Sequence, residues 1–309
     1  MKRYGNNYGS SRNSNFRLKV YEEAEAALAL FAGAPAALTV SSGFMAGQLV
    51  VSKLLQEDNY FVFAPNAHPA VCRSHADFYE GDFQLWTENI AGVIATLPAD
   101  KITIVCNAID PLFCKPYNFD WVWSLPADKE IALLIDDSHG IGVTGEHGEG
   151  IYSHIRRRKN VHLIVVASLA KAMGIPGGVV LSASDTIGQL RVNSFFGTSS
   201  PIAPGYLYAF TKAGQVYRDA RKQLSENIGL FNRLLPNREL FVSLVDYPVF
   251  YTDKHTLSDF LREQGILISG FAYPRPEGTI VTRVIINSSH TKKDIEHLVY
   301  CLQLFEDSI

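Results

Sequence analysis

The chain has 309 residues, of which 47% are hydrophobic and 19% are charged, so it can bury the core of one or two globular domains. Its formal net charge of −3 gives no basic field, and the sequence predicts no nucleic-acid partner. No apolar run approaches the roughly 20 residues of a membrane-spanning helix, and residues 1–10 lack the apolar core of a signal peptide. We therefore expect a cytoplasmic globular protein that is not bound to a membrane.

The four cysteines indicate neither a metal site nor a disulfide framework. They are Cys72, Cys106, Cys114 and Cys301, and their spacing includes no Cys-x-x-Cys pair. This pattern is typical of reduced cysteines in a cytoplasmic protein. The sequence therefore predicts no metal.

The first part of the chain predicts an arm followed by a helix. Residues 1–15 are rich in Gly, Asn and Ser, which favours a loop or arm. Apolar residues at helical spacing predict a helix over residues 16–31, and Gly33 is placed to end it as a C-cap.

A strand over residues 35–40 then leads through Ser41-Ser42-Gly43-Phe44 to an apolar helix over residues 48–55. A small-residue turn before a helix is typical of an anion site, because backbone N–H groups and the positive end of the helix dipole point at the ligand. Ser42, Gly43 and Phe44 are therefore candidate binding residues.

Four further apolar runs predict strands, each followed by polar residues. Residues 60–64 are followed by His68, and residues 101–106 by Asn107 and Pro111. Residues 131–135 are followed by Asp136-Asp-Ser-His139, and residues 161–166 by Ser168-Leu-Ala-Lys171. Continuous apolar runs are typical of parallel strands covered on both faces. In such sheets ligands bind at the carboxyl ends of the strands, so Asp136, His139 and Lys171 are expected to meet there.

The sequence from residue 179 onwards predicts the end of a first, large domain and then a smaller second domain. The first part has a strand at 179–183, a helix to about residue 193, a Ser/Thr-rich loop with Thr198, and a long helix over 205–227. The second has strands near 240–245, 266–270 and 279–287, and helices near 255–264 and 291–305. Arg283 lies inside an apolar strand, which is costly unless an anion pairs with it, and its guanidinium suits a carboxylate.

These motifs, in this order, resemble those of the pyridoxal-phosphate (PLP) enzymes of fold type I. The nearest subgroup is the α-oxoamine synthases, which include 8-amino-7-oxononanoate synthase and 2-amino-3-ketobutyrate CoA ligase. Their Asp-Glu-Ala-His motif matches Asp136-Asp-Ser-His139, and their Thr/Ser-Leu-Ser/Gly-Lys-Ala motif matches Ser168-Leu-Ala-Lys171-Ala. The resemblance covers nearly the whole chain, from Tyr4 to the last predicted helix.

The resemblance implies an α/β fold, the PLP-dependent transferase fold type I. Its central sheet is mostly parallel and lies in a large domain, which we expect at residues 16–215 after an arm at 1–15. A smaller α+β C-terminal domain is expected at residues 216–309. A homodimer is also implied, because the family's threonine at the position of Thr198 reaches the phosphate of the neighbouring subunit.

The resemblance also implies the role of each site residue. Lys171 would hold PLP covalently and then act as general acid or base, Asp136 would pair with the pyridine nitrogen, His139 would bond the phenolic oxygen, and His68 would stack on the ring. The phosphate would be bound by Gly43, Phe44 and Ser168, and by Thr198 of the neighbouring subunit. Ser42 would also bind the cofactor, and Arg283 would bind the amino-acid carboxylate. Asp137 is disfavoured as the pyridine partner, because the family's acid lies three residues before the histidine.

The implied activity is that of an acyltransferase that condenses a small α-amino acid, such as glycine, alanine or serine, with an acyl-CoA thioester. Another PLP-dependent reaction, by an aminotransferase, aldolase or lyase, stays open, because Pro111 stands where the family has a serine and the segment before the first helix is short. A non-catalytic partner subunit is the third alternative. Intact Lys171, Asp136 and His139 argue against it.

Overall fold

The structure is a computed structural model that describes residues 3–110, 112–115, 117–273 and 276–308. The chain divides into two compact units. The first unit comprises Met1–Ile109 and Tyr117–Gly214, and the second comprises Asp110–Pro116 and Gln215–Ile309. Across the described residues, none of the helices combines the length and the apolar character that crossing a bilayer requires.

The first unit is built on a six-stranded sheet with the spatial order β1-β6-β5-β4-β3-β2. Its strands are β1 (Ala36–Val40), β2 (Tyr60–Phe63), β3 (Lys101–Asn107), β4 (Glu130–Asp136), β5 (Val161–Ser168) and β6 (Gly178–Ser182). Strands β2 to β5 are parallel, whereas β6 runs antiparallel to both β5 and β1. This mostly parallel sheet confirms the predicted fold class.

The central strands are buried on both faces. Every residue of β3 after Lys101 and of β4 after Glu130 is buried, as their continuous apolar sequence predicts. The register pairs Asn107 of β3 with Asp136 of β4. Both polar residues therefore lie at the carboxyl edge of the sheet.

The first unit also contains α-helices and 3₁₀ turns. They are α1 (Lys19–Ala32), α2 (Gly43–Gln56), α3 (Phe83–Thr96), α4 (Ser184–Val192), α5 (Ser194–Gly197) and α6 (Pro204–Lys212), with 3₁₀ turns at Pro69–Val71, His75–Asp77, Asp120–Ser124 and Tyr152–His154. Gly33 ends α1 with a φ of 67°, which confirms the predicted C-cap. Helix α2 begins at Gly43 rather than at residue 48, because Ser42 caps it by accepting the N–H of Met45.

The second unit contains a three-stranded antiparallel sheet with the order β7-β9-β8. Its elements are α7 (Gly214–Leu234, of which Gly214 belongs to the first unit), a 3₁₀ turn at Arg238–Leu240, β7 (Val249–Thr252), α8 (Leu257–Glu263), β8 (Ser269–Tyr273), β9 (Thr279–Ile285) and α9 (Lys292–Glu306). The helices pack an apolar core that includes the buried side chains of Phe231 and Phe250.

Two predicted elements of this part of the chain are wrong. The helix predicted over 205–227 is divided into α6 and α7, because Ala213 leaves the helical conformation and Gly214, a poor helix former, follows it. The strand predicted over 240–245 is a 3₁₀ turn followed by a single bridge between Val242 and Tyr251. Strand β7 follows only after a turn at Asp246, whose φ is 54°.

Candidate active site at the carboxyl edge of the large sheet

Lys171 and His139 meet at the carboxyl edge of the first unit's sheet. The Nζ of Lys171 lies 2.7 Å from the Nε2 of His139. A charged ammonium group only donates hydrogen bonds, so the pair shares one proton: either a charged lysine donates to Nε2, or Nε2 donates to a neutral amine. The lysine side chain is exposed and the histidine is half-buried. An accessible amine with a proton-sharing partner can form a covalent bond and move protons.

A short loop after β5 fixes the position of Lys171. The N–H of Leu169 donates to Gly177 O, and the N–H of Ile175 donates to Leu169 O, both at 2.9 Å. The side chains of Leu169, Met173 and Ile175 are buried. The Gly-rich loop after β4 packs on this loop, since a Cβ on Gly142 would lie 2.9 Å from the side chain of Met173.

Asp136 is a buried carboxylate, 7% exposed, at the end of β4. Its Oδ1 accepts the N–H of Ser138 at 2.8 Å, and its Oδ2 lies 3.6 Å from the Nδ1 of His68. Nδ1 of His68 already accepts the N–H of Ala70 at 3.1 Å, so the neutral ring carries its proton on Nε2. Burial lowers the pKa of His68, and the charge of Lys171 lowers it further against the opposing effect of Asp136.

Asn107 holds the loop that carries His68. Its Nδ2 donates to Asn66 O at 2.6 Å, and its Oδ1 accepts the N–H of His68 at 3.0 Å. Asn66 has a φ of 59°, so the loop turns sharply at that residue. The sequence predicted Asn107 at the end of a strand, but not as the residue that holds His68. A buried polar residue at a strand end was the available signal. Pro111 itself lies outside the described residues.

The start of α2 abuts the end of β5. A Cβ on Gly43 would lie 2.7 Å from the Cβ of Ser168, and one on Gly178 would overlap Ser42 O. Gly43 and Phe44 are the first two helical residues, and their N–H groups have no acceptor within the helix. Ser168 Oγ accepts the N–H of Ala170 at 3.3 Å. The structure thus brings Ser42, Gly43 and Ser168 together around a helix N-terminus.

Asp137 contacts the Gly-rich loop that follows β4. Its Oδ2 accepts the N–H of Ile151 at 2.8 Å, and a Cβ on Gly140 or Gly150 would overlap its carboxyl group. Burial raises the pKa of Asp137 to about 8, and the neighbouring charge of Asp136 adds to this against the bond from Ile151. Asp137 therefore anchors the Gly-rich loop as a carboxyl group that stays protonated near neutral pH.

The structure places the other two predicted site residues, Thr198 and Arg283, at the end of α5 and in β9. Thr198 is exposed at the end of α5, and its Oγ1 donates to Ser194 O at 2.9 Å. Arg283 lies in β9 of the second unit, is 9% exposed, and has its guanidinium 5.7 Å from the ring of Phe271. Burial lowers the pKa of Arg283. The predicted roles of both residues stay predictions.

No group of three or more His, Cys, Asp or Glu side chains suited to a metal occurs among the described residues. The family model "Aminotransferase class I and II" matches residues 2–302. The 8-amino-7-oxononanoate synthase of Fervidobacterium nodosum is 27% identical over 317 residues, which cover 96% of this chain and 79% of that protein.

Two solved structures have a similar fold. A serine palmitoyltransferase from S. paucimobilis, solved with bound PLP, has a TM-score of 0.81 at 18% identity and is matched over 99% of this chain and 81% of that one. An 8-amino-7-oxononanoate synthase from Francisella tularensis has a TM-score of 0.72 at 22% identity, over 100% of this chain and 91% of that one. These likenesses confirm the predicted fold.

Proposed function

The chain belongs to the aminotransferase class I and II family, and on this premise we propose that it is a PLP-dependent acyltransferase that condenses a small α-amino acid with an acyl-CoA thioester. The observation that carries the proposal is the exposed amine of Lys171, 2.7 Å from His139, at the sheet edge that also presents the buried carboxylate of Asp136. The name of the similar palmitoyltransferase describes acyl transfer to an amino acid. The name of the curated relatives describes a synthase of an amino-oxo acid.

The described residues fit PLP as the cofactor. Its aldehyde needs an accessible amine, which Lys171 supplies. Its phosphate needs backbone N–H donors, which the start of α2 supplies. At Gly43 the neighbouring Ser168 leaves no room for a side chain. Its pyridine nitrogen needs a carboxylate, for which we propose Asp136, and its ring needs a flat partner, for which we propose His68.

Bound PLP supplies an electron sink that acidifies the Cα of the amino acid. Asp136 would stabilise a positive charge on the pyridine nitrogen, since a nearby negative charge favours the protonated form. His68 would cover the ring without adding a charge, because its ring is neutral in the described hydrogen bonds. Lys171 would move the Cα proton as general base and acid, with His139 beside it to share that proton.

A cytoplasmic location is part of the proposal. Cys72, Cys106, Cys114 and Cys301 are all buried and in no disulfide. Burial raises the pKa of the Cys72 and Cys114 thiols to about 12. Such cysteines are inert, and they fit a reducing compartment.

The test is condensation by the purified protein loaded with PLP. Glycine, alanine and serine are each paired with acyl-CoA thioesters of increasing chain length, and the released CoA thiol and the consumed amino acid are measured together. We expect equal amounts of both for at least one pair, and neither with the Lys171→Ala variant. Keto-acid formation from the amino acid without any CoA release would overturn the proposal in favour of an aminotransferase.

A further inference from the structure

The backbone hydrogen bonds between β4 and β5 end before the two loops that carry the site. The last of them runs from the N–H of Asp137 to Val166 O at 2.8 Å. The next carbonyl on the β4 side is that of Asp137. It accepts the N–H groups of Gly140 and Ile141 instead, at 3.0 and 3.1 Å. The N–H of Ser168 therefore needs another acceptor on that side.

The hydroxyl of Ser138 is that acceptor. Its Oγ accepts the N–H of Ser168 at 2.8 Å, so a side chain adds one hydrogen bond to the sheet where the backbone has turned away. Ser138 is 7% exposed, and water competes little for this bond. The related family motif has alanine at this position, and an alanine side chain has no acceptor.

The same residue also orients the acid. The N–H of Ser138 donates to Asp136 Oδ1 at 2.8 Å, and the next residue along the chain is His139. On the other side of the bond, Ser168 precedes Lys171 by three residues and packs against Gly43. Ser138 thus links the carboxylate and the histidine after β4 to the lysine after β5.

We propose that Ser138 is a positioning residue, whose hydroxyl fixes the loop of Lys171 relative to Asp136 and His139. The proposal rests on the proposed function, because positioning matters only where these groups act together on PLP. Ser138 stands where the Asp-Glu-Ala-His motif has alanine, and its hydroxyl would have this positioning role. Removing the hydroxyl is expected to loosen the contact between Lys171 and His139.

The experiment compares Ser138→Ala and Ser138→Cys with the control Ser182→Ala. Ser182 is a buried serine of β6 whose Oγ donates to Leu163 O at 2.8 Å, towards the opposite edge of the sheet. The control therefore loses one comparable hydrogen bond without touching the site. The cysteine variant keeps the shape of the serine side chain with a larger sulfur atom, and its thiol accepts only weakly.

Two measurements use the full chain without cofactor. In Ser138→Ala we expect the amide of Ser168 to exchange about tenfold faster, as loss of one hydrogen bond of ordinary strength predicts. We expect the NMR resonances of the His139 ring to shift as well, because its lysine neighbour moves. Ser182→Ala should change neither the exchange rate nor the His139 resonances. Ser138→Cys should give values of both between those of Ser138→Ala and the parent.

Two further measurements use the chain loaded with PLP. The dissociation constant of PLP should rise about tenfold in Ser138→Ala, and the pH midpoint of the visible absorbance of the Lys171-bound cofactor should shift. Faster exchange at Ser168 with an unchanged His139 resonance, PLP affinity and pH midpoint would show a purely structural bond and overturn the proposal. A parent chain that carries no PLP on Lys171 would refute the proposed function instead, and the cofactor-free measurements would still decide whether Ser138 positions His139.

Discussion

The Nζ of Lys171 and the Nε2 of His139 lie 2.7 Å apart although 32 residues separate them in the chain. One follows β5 and the other follows β4, and the parallel register of these strands brings their carboxyl ends side by side. At this distance a proton can pass between the two nitrogens. Bond formation with an aldehyde requires the neutral amine, because only that form is a nucleophile.

The first prediction is that PLP attaches covalently to Lys171. Borohydride reduction of the loaded protein, followed by peptide mass mapping, should place the cofactor on the peptide that contains Lys171. Lys171→Ala should carry no label, whereas Lys159→Ala, which removes an exposed lysine before β5, should label like the parent. Label on any other lysine of the parent would show that the assignment is wrong.

The sequence predicted these strand-end residues because their signal is local. A buried parallel strand is a continuous apolar run, and the polar residue that ends it lies at the ligand edge of the sheet. Asp136, His139 and Lys171 could be placed together on that rule alone.

The residues that hold them could not be predicted in the same way. Asn107 bonds the main chain of residues 66 and 68, and Ser138 bonds the N–H of Ser168. Neither bond depends on a periodic pattern, because each joins a side chain to a backbone group more than 29 residues away. Strand β7 was missed for a related reason: it has four residues, too few for an alternation to be recognised, and its pairing with distant β9 stabilises it.

The second prediction is that Asp136 controls the chemistry rather than the attachment of PLP. Asp136→Asn keeps an oxygen for the N–H of Ser138 but removes the negative charge that would stabilise a protonated pyridine nitrogen. We expect a folded, yellow protein whose exchange of glycine α-protons with solvent falls about 10²–10³-fold, as for loss of one electrostatic stabiliser. The measurement is proton NMR of glycine in deuterated buffer. An exchange rate equal to that of the parent would refute this role.

The third prediction is that Arg283 binds the carboxylate of the amino acid. The guanidinium is largely buried in the second unit and burial lowers its pKa, so a bound anion would favour its charged form. Loss of a bidentate, charge-assisted pair should weaken binding by about 2–5 kcal/mol in Arg283→Ala. Arg283→Lys keeps the charge but not the fork, and should recover only part of that loss.

Titration with glycine, alanine and serine, followed by the change in cofactor absorbance, measures these affinities. Arg262→Ala is the matched control, because Arg262 is an exposed arginine of the same unit that pairs with Asp259 on α8 at 3.0 Å. It should bind all three amino acids like the parent. If Arg283→Ala also binds them as tightly as the parent, the anchor lies elsewhere, and Arg275, outside the described residues, is the next candidate.

The fourth prediction is a homodimer in which Thr198 contacts the cofactor phosphate of the partner subunit. Most soluble oligomers are twofold dimers, and Thr198 is an exposed residue whose Oγ1 donates to Ser194 O. Light scattering should give twice the mass of one chain. Thr198→Ala should weaken PLP binding about three- to tenfold and leave the mass unchanged. Thr211→Ala, which removes a similar local bond to Tyr208 O, should change neither, and a monomer with tightly bound PLP would contradict the prediction.

The fifth prediction concerns Asp137 and the pH dependence of stability. Burial raises the pKa of this carboxyl group from an ordinary 3.8 to about 8 in the folded protein. Between these two values the folded state holds a proton that the unfolded state has lost. The contribution of Asp137 to the free energy of unfolding is therefore undiminished below about pH 4, falls as the pH rises, and reaches its minimum above about pH 8. The fall cannot exceed about 1.4 kcal/mol per pH unit, the value for one proton.

Asp137→Asn isolates this contribution, because the amide keeps an oxygen for the N–H of Ile151 but does not ionise. Any cost of burying its NH₂ group is the same at every pH, and the titrations of groups that do not interact with Asp137 cancel when the variant is compared with the parent. The free energy of unfolding from denaturant titrations at pH 5, 6, 7 and 8 should therefore shift steadily in favour of the variant as the pH rises. If the difference between the two proteins stayed constant over this range, Asp137 would be ionised throughout, and the Gly-rich loop would be anchored by a buried carboxylate rather than by a neutral acid.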